Sequence, residues 1–555
     1  LLKTAFRGTK RLNTIQSAVF ESAYYSNENL LISAPTGAGK TNIAMLCILK
    51  VIKNFMEDAG QIRKNEFKIV YVAPMKALAA EMVRNFGQRL APLGIVVKEL
   101  TGDMQLTKRE IMETQMLVVT PEKWDVVTRK STGDTALAHL VRLLIIDEVH
   151  LLHDDRGPVI ETLVARTLRQ VEMRQTQIRI VGLSATLPNY LDVAQFLQAN
   201  QKKGLFFFDG RFRPVPLSQT FIGVKSAAGP SAYEQAKAMD EICFDRVVDF
   251  VENGHQVLVF VHARNATGRL ALYMKEQAAG RGLESTFSPD ERKNSYHLAR
   301  KALSGSRNRQ LLDLCPAGFG IHHAGMLRKD RLLVERLFSE GHIKVLCCTA
   351  TLAWGINLPA HAVIIRGTEI YDSKHGAFVD VGILDVQQIF GRAGRPQFDT
   401  TGHGIIITAH EKLYRYLSML TRQAPIESQF RNNLMDNLNA EIVLGTVSNV
   451  DEAVNWLSYT YYYIRAKLNP LAYGISYKER QEDPELYQHR HQVISQTAAL
   501  LDQYEMVRYN HQTGHFNSTD LGRIASHYYV KSDTVEVGGS GGSCSVRRSA
   551  VQTAL

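Results

Sequence analysis

Residues Leu30 to Thr41 read LLISAPTGAGKT, and the helix-prone run NIAMLCILKVI follows directly. A short apolar stretch, a turn of small residues and an apolar helix opened by Lys-Thr give the strand, loop and helix order of a phosphate-binding loop. Gly37 and Gly39 let backbone amides turn toward a phosphate, the helix N-terminus adds partial positive charge, and no bulky side chain among Ala34, Pro35, Thr36 and Ala38 blocks the approach. Lys40 is suited to neutralise the β- and γ-phosphates of a nucleotide, and Thr41 offers a hydroxyl that ligates magnesium. Ala34 stands where the strict pattern has glycine, so the competing reading is a chance glycine-rich turn before a helix.

Outward from this loop, β-prone apolar runs alternate with helix-length segments: 29–33, 68–73, 116–120, 143–146 and 178–183, then 256–261, 318–322, 344–348, 362–365 and 404–408. Runs apolar on both faces predict two parallel sheets covered on both sides, an α/β architecture. The stretch 206–217, FFFDGRFRPVPL, reads as a connector, and 278–310 as a polar insertion of uncertain order. From Pro425 the pattern turns helical, PIESQF resembles a helix start, and the Trp and Tyr stripe of 451–468 is expected mainly in a core. The Gly/Ser-rich end is expected to be disordered, which gives domains at 1–212, 213–424 and 425–530 and a tail at 531–555.

The bulk numbers narrow the field of functions. Among 555 residues, 65 Lys+Arg against 55 Asp+Glu leave a charge of +10, which favours a polyanionic partner without proving one. Six scattered cysteines with no C-x-x-C spacing argue against zinc ribbons and disulfide frameworks and point to a reducing compartment, nucleus or cytosol. No run of about 18 apolar residues and no signal-peptide pattern occurs, so no membrane role is expected. A first residue other than Met reads as a segment of something longer.

Two further constellations complete a hydrolytic site. In RLLIIDEVH, Asp147 and Glu148 stand at the C-terminal end of an apolar strand, where open α/β sheets bind ligands. Asp147 can hold magnesium and Glu148 can orient and deprotonate the attacking water. In QQIFGRAGRP, Arg392 and Arg395 lie three residues apart, adjacent if helical, and are candidates for cations that meet the γ-phosphate in the transition state.

These segments, in this order, resemble the Ski2-like helicases of superfamily 2: LNTIQS, APTGAGKT, APMKALAAE, TGDMQLTKRE, TPEKWD, DEVHLLHDDRG, LSATLPNY, VFVHARNAT, IHHAGM, TATLAWGINLPA and QQIFGRAGRPQFD. The resemblance covers roughly residues 5 to 535. It implies two tandem RecA-like domains followed by a small helical winged-helix domain, with ATP and Mg2+ as cofactors. It implies that Gln16 reads adenine, that Gly355 and Asn357 sense nucleotide from the second domain, and that Gln388 contacts the γ-phosphate side. His150, Ser184 and Thr186 would couple nucleotide state to domain closure. Contacts to a nucleic-acid backbone would come from Pro74, Lys76, Thr101, Gly102, Thr120 and Lys123, and from His262, Arg264, His322, His323 and Thr349. Loop amides, hydroxyls and cations suit phosphate, and a motor that steps over any sequence needs such contacts. The adjacent histidines His322 and His323 lack further ligands at zinc spacing.

The stretch IIRGTEIYDSKHGAFVDVGILDV reads as a hairpin, which the resemblance makes a strand-separating wedge carrying Tyr371, His375 and Phe378. The expected activity is an ATP-dependent 3′–5′ helicase or translocase on DNA or RNA, acting in DNA repair or ribosome-associated quality control within a multiprotein complex. The competing expectation is a partner-dependent RNA or RNP remodelling subunit.

Overall fold

Strands that are apolar on both faces have to be covered on both, and the chain solves this twice. The computed structural model describes residues 1–535 except 59, 103–105, 131–134, 176, 226–231, 293, 351, 353–357, 373–375, 396–397 and 423–424. The chain divides into two compact units. One comprises Leu1–Ala34, Gly39–Phe208 and the chain from Pro425 onward; the other comprises Asp209–Ala424 with the short stretch Pro35–Ala38.

In the first unit β1 (Leu30–Ser33), β2 (Lys68–Val72), β3 (Val97–Leu100), β4 (Met116–Val119), β5 (Val141–Ile146), β6 (Arg179–Ser184) and β7 (Leu205–Phe207) form one parallel sheet in the order β3-β4-β2-β5-β6-β1-β7. β1, β2 and β4 are buried along their whole length. The helix Lys40–Asn54 is buried without a break from Ile43 to Leu49, so it is covered on all sides rather than along one stripe. Two strands escape the sequence reading. β3, VKEL, is an edge strand with three of its four residues half-buried, so it has no apolar run to betray it. β7 occupies the start of the expected connector, where Phe206 and Phe207 pair with Ile32 and Ser33.

The second unit repeats the plan with β8 (Leu217–Val224), β9 (Val257–Phe260), β10 (Phe319–His322), β11 (Val345–Cys348), β12 (Ala362–Arg366) and β15 (Gly402–Ala409), parallel in the order β10-β11-β9-β12-β15-β8. The expected hairpin is present as β13 (Glu369–Asp372) and β14 (Ala377–Asp380). The described part of the polar insertion is helical: helices Glu284–Phe287, Asn294–Ser304 and Arg309–Leu314 bury Phe287, Ala299, Leu303, Leu311 and Leu314 in the core of this unit. Its apolar residues are few but helically spaced, with Tyr296, Ala299 and Leu303 on one face.

From Pro425 the chain forms a separate core of helices, chiefly Leu434–Val443, Val450–Leu457, Tyr461–Leu468, Tyr487–Gln503 and Asp520–Tyr528, with the two-stranded wing β16 (Val507–Tyr509) and β17 (Phe516–Ser518). The first helix starts later than PIESQF, because Phe430–Asn433 is a 3-10 turn that precedes Leu434. The aromatic stripe is split between two helices. Trp456 and Tyr462 are buried in this core. The expected tail begins with structure, since Ser532 N donates to Asp436 Oδ1 at 2.8 Å; residues 536–555 lie outside those described.

This winged-helix core belongs to the first unit because polar contacts fasten it there. Arg166 of helix Gly157–Arg174 reaches Glu441 Oε1 at 2.6 Å and Asp125 Oδ1 at 2.9 Å. Asp125 also accepts from Arg129 and from Tyr529, and these arginines overcome the burial that would otherwise push its carboxyl up. Arg465 pairs with Asp192 at 2.6 Å and with Glu427 at 2.7 Å. Asn189, five residues beyond Ser184, donates to Tyr461 Oη at 2.8 Å and accepts from Ile426 N at 3.0 Å. Glu161 is fully buried, accepts from Tyr462 N at 2.8 Å and bonds Ser428 Oγ.

Removing one partner of a buried ion pair strands the others, so Arg166→Ala should lower stability by about 3–5 kcal/mol in denaturant unfolding. Burial pushes the Glu161 carboxyl up to about 8, against the bonds from Ser428 and Tyr462. The folded state therefore holds that proton to higher pH than the unfolded chain, and the contribution to stability is lost as pH rises from about 4.5 through about 8. Glu161→Gln, which keeps the shape without the charge, should melt several degrees above the parent near pH 9 and lose that advantage near pH 5.

Candidate functional site

All strands of the first sheet run the same way, so their carboxyl ends share one edge, and the candidate residues leave from that edge. The order β3-β4-β2 carries Thr101 and Gly102, Thr120 and Lys123, and Pro74 and Lys76. The order β5-β6-β1 carries Asp147 and Glu148, Ser184 and Thr186, and the loop before Lys40. The sheet thus separates a candidate strand-binding half from a candidate nucleotide half.

Gly37 and Gly39 adopt φ of 82° and 91°, the left-handed backbone that a side chain resists. Gly39 is constrained again by its neighbour: a Cβ there would meet Gln16 Nε2 at 2.4 Å. That amide donates to Gly39 O at 3.2 Å, while Gln16 Oε1 accepts from Asn13 N in a capping box, so Gln16, expected to read adenine, braces the phosphate loop. Lys40 Nζ donates to Ala34 O at 2.9 Å. Desolvation lowers the Lys40 pKa, and the nearby Glu148 and Asp147 charges oppose that shift.

Asp147 accepts twice, from Tyr71 Oη at 2.6 Å and from Glu148 N at 3.0 Å. Burial first, and the Glu148 charge next, push the Asp147 carboxyl up to about 7, against Tyr71, Lys40 and the Glu148 amide. Glu148 sits at φ 54°, strained for a residue with a side chain, of the kind that functional sites hold by force of their surroundings. After these bonds each Asp147 oxygen keeps a lone pair. Together with the Thr41 hydroxyl this is an oxygen-only donor set, which fits a hard cation such as Mg2+ and not a soft one.

His150 is fully buried and burial keeps it neutral; its Nδ1 accepts from Ala185 N at 3.2 Å, with Ser184 Oγ at 3.5 Å and Glu148 Oε2 at 3.4 Å. Ser184 O accepts from Ala34 N at 3.1 Å, and Ser33 Oγ bridges Ala185 O and Leu187 N. His150, the SAT segment and the phosphate loop are therefore one hydrogen-bonded unit, and the acid pair directly precedes it in the chain. Thr186 follows, half-buried.

Of the expected backbone contacts, Lys76, Gly102 and Arg264 are exposed, and Lys123, His262, His323 and Thr349 are half-buried. The side chains of Thr101 and His322 turn inward, onto Glu99 Oε1 at 2.8 Å and Glu335 Oε1 at 3.0 Å, and Pro74 and Thr120 are buried. Such positions can offer backbone but not a free side chain. His262 Nε2 lies 2.8 Å from Gly367 O.

Gln388 is buried on the helix Ile383–Phe390. Arg392 and Arg395 follow that helix rather than continue it, and Gly394 between them has φ 87°. Arg395 is held by Asp399, whose Oδ2 accepts from the Arg395 backbone N–H at 2.8 Å and from Nε at 2.9 Å. His361 Nδ1 lies 3.1 Å from Asp399 as well, and His255 stacks on His361 at 3.6 Å and 7°. These three side chains have metal-ligand chemistry, yet parallel rings cannot aim in-plane lone pairs at one point, and Asp399 is taken by Arg395. Tyr371 and Phe378 are 57% and 68% exposed at the hairpin and meet edge to face at 5.3 Å. Gly355, Asn357 and His375 lie outside the described residues.

Two residues escaped the sequence reading. Tyr71 is one of five buried residues in an apolar strand, and nothing local marks its hydroxyl as a partner of Asp147. Arg156 donates to Pro74 O and stands 3.7 Å from Glu122, which joins two candidate strand-binding loops to the segment after DEVH.

Two α/β units, a winged helix and this edge chemistry belong together in one class, and the chain belongs to it: the superfamily 2 helicase family. The DEAD/DEAH box helicase family matches residues 13–193, the helicase conserved C-terminal domain residues 300–397, and a winged helix-turn-helix domain residues 427–504. Over 532 residues, 96% of its length, the chain is 65% identical to Activating signal cointegrator 1 complex subunit 3 of Homo sapiens and 66% identical to that of Bos taurus. It is 58% identical over 534 residues to a DExH-box ATP-dependent RNA helicase of Arabidopsis thaliana. The chain spans 24% of the length of each of these relatives.

Gly39→Ala tests the loop. A side chain at φ 91° that also displaces Gln16 costs about 1–3 kcal/mol of strain, so affinity for a fluorescent ATP analogue should fall about tenfold or more at unchanged fold by circular dichroism.

Proposed function

We propose that this chain is the motor of an ATP-driven translocase that moves 3′ to 5′ along one nucleic-acid strand and displaces its partner. The observation that carries the reading is the hydrogen-bonded unit on β5, β6 and β1, in which Ala185 N bonds His150 and Ala34 N bonds Ser184 O. Such a unit lets a change at the phosphates alter the acid pair and the segment beyond it together. In this reading the loop amides and Lys40 hold the phosphates, Glu148 orients and deprotonates the water, and Arg392 meets the charge that develops on the γ-phosphate, while Arg395 is held by Asp399, close by in sequence. Mg2+, held through Thr41 and Asp147, neutralises phosphate charge when bound.

Lys76, Lys123 and Arg264, with backbone amides at the strand ends, supply sequence-independent phosphate contacts. Tyr371 and Phe378 would meet the terminal base pair at the wedge. The polarity, and work in DNA repair or ribosome-associated quality control as part of a complex in nucleus and cytosol, rest on the family resemblance; the five described cysteines, all buried and free, agree with a reducing compartment. RNA is the first substrate to try, because one relative is named an RNA helicase. The second reading is a partner-dependent RNP remodeller, supported by the relatives named as subunits of a complex.

Steady-state ATP hydrolysis with and without single-stranded RNA and DNA, beside Glu148→Gln, decides between them. We expect stimulation of at least about tenfold by one polymer, abolished by the substitution. Hydrolysis that neither polymer raises would overturn the free motor in favour of the partner-dependent remodeller.

A further inference from the structure

β2 is buried at all five positions, and a phenol in a fully buried strand has to satisfy its hydroxyl. Tyr71 does so on Asp147 Oδ2, at 2.6 Å, rather than on backbone. Its ring packs against Phe86 at 5.3 Å, and Phe86 lies on the helix Lys76–Leu90, whose first residue is the exposed Lys76. Asp147 N donates to Val72 O at 3.0 Å, so the end of β2 grips Asp147 by backbone and by side chain. Two residues past Val72 the strand opens into Pro74, whose carbonyl is held by Arg156.

Tyr71 thus stands between two candidate surfaces. On one side is the loop 74–76 with its helix; on the other is the carboxylate suited to the cation. We propose that Tyr71 is a positioning residue that makes the orientation of Asp147 depend on whether the loop after β2 is occupied by a nucleic-acid phosphate backbone. The idea rests on the motor reading and specifies where strand binding enters the nucleotide site. A phosphate drawn to Lys76 shifts the helix start and the end of β2. Phe86 and Val72 pass that shift to the ring and to the Asp147 amide, and the hydroxyl carries it to Oδ2.

The test is Tyr71→Phe, which removes one oxygen from a packed site and keeps the ring. Three quantities are read beside thermal unfolding: equilibrium binding of fluorescent ADP as a function of Mg2+, binding of a fluorescent single-stranded RNA without nucleotide, and ATP hydrolysis with and without that RNA. We expect unchanged RNA affinity and unchanged Mg2+-free ADP affinity. The Mg2+ needed for half-maximal ADP binding should rise about tenfold, and the ratio of RNA-stimulated to basal kcat should fall by a similar factor. A variant that keeps the parental Mg2+ dependence and stimulation ratio would show that Tyr71 only packs, and the proposal would be wrong. Equal losses of ADP affinity with and without Mg2+ would likewise assign it a structural role alone. If RNA fails to stimulate the parent protein, the motor reading falls and the coupling with it, whereas a stimulated parent with an indifferent variant overturns only the role of Tyr71.

Discussion

One desolvated cation organises the carboxyl edge of the first sheet. Lys40 is drawn out of water beside Asp147 and Glu148, whose charges oppose the cost of burying it, and Lys40 in turn offsets part of what burial and the Glu148 charge do to Asp147. A lysine in this setting needs a carbonyl to bond, and Ala34 O supplies it at 2.9 Å. The turn that brings Ala34 back over Lys40 needs two left-handed residues, which only glycine adopts without strain. The acid pair in turn needs donors to hold it, and these come from Tyr71 and from the Glu148 amide. The loop conformation and the tyrosine in an apolar strand both serve to bring unlike charges together at the end of a parallel sheet.

The winged-helix core shows the same physics in a structural role. Arg166, Asp125, Glu441, Arg129 and Tyr529 form a closed set in which every buried charge has an opposite partner or a donor. An apolar interface would bind as well or better, since buried ion pairs gain little net stability. What ionic contacts supply is geometry: Arg166 can satisfy Glu441 and Asp125 together in one orientation only. Asn189 and Asp192 lie a few residues past the SAT segment and contact Tyr461, Ile426 and Arg465. The segment that leaves the nucleotide half of the sheet therefore ends on the winged helix.

Legibility varied with how local the physics is. The phosphate loop, the acid pair and ten of the strands are written in neighbouring residues, because a strand buried on both faces must be apolar throughout and a glycine turn must carry glycine. The edge strands β3, β7 and β8 were not legible: half-exposed strands need no apolar run. The helices within 278–310 were missed because a few well-spaced apolar residues suffice to dock a short helix on an existing core. The aromatic stripe was legible as core but not as a clasp, since Tyr459 and Tyr461 find Glu172 and Asn189, 287 and 272 residues away in sequence.

By itself the sequence determined the class of chemistry, for charge, hydroxyl and glycine at fixed spacing can be read without knowing what faces them. The tertiary structure alone decided which side chains are free to act. It turned His322 and Thr101 inward, committed Arg395 to Asp399, and set Tyr71 against Asp147. Each of these pairings joins groups on separate strands, helices or loops, and hydrogen bonds between them depend on distances that only the packed sheet defines.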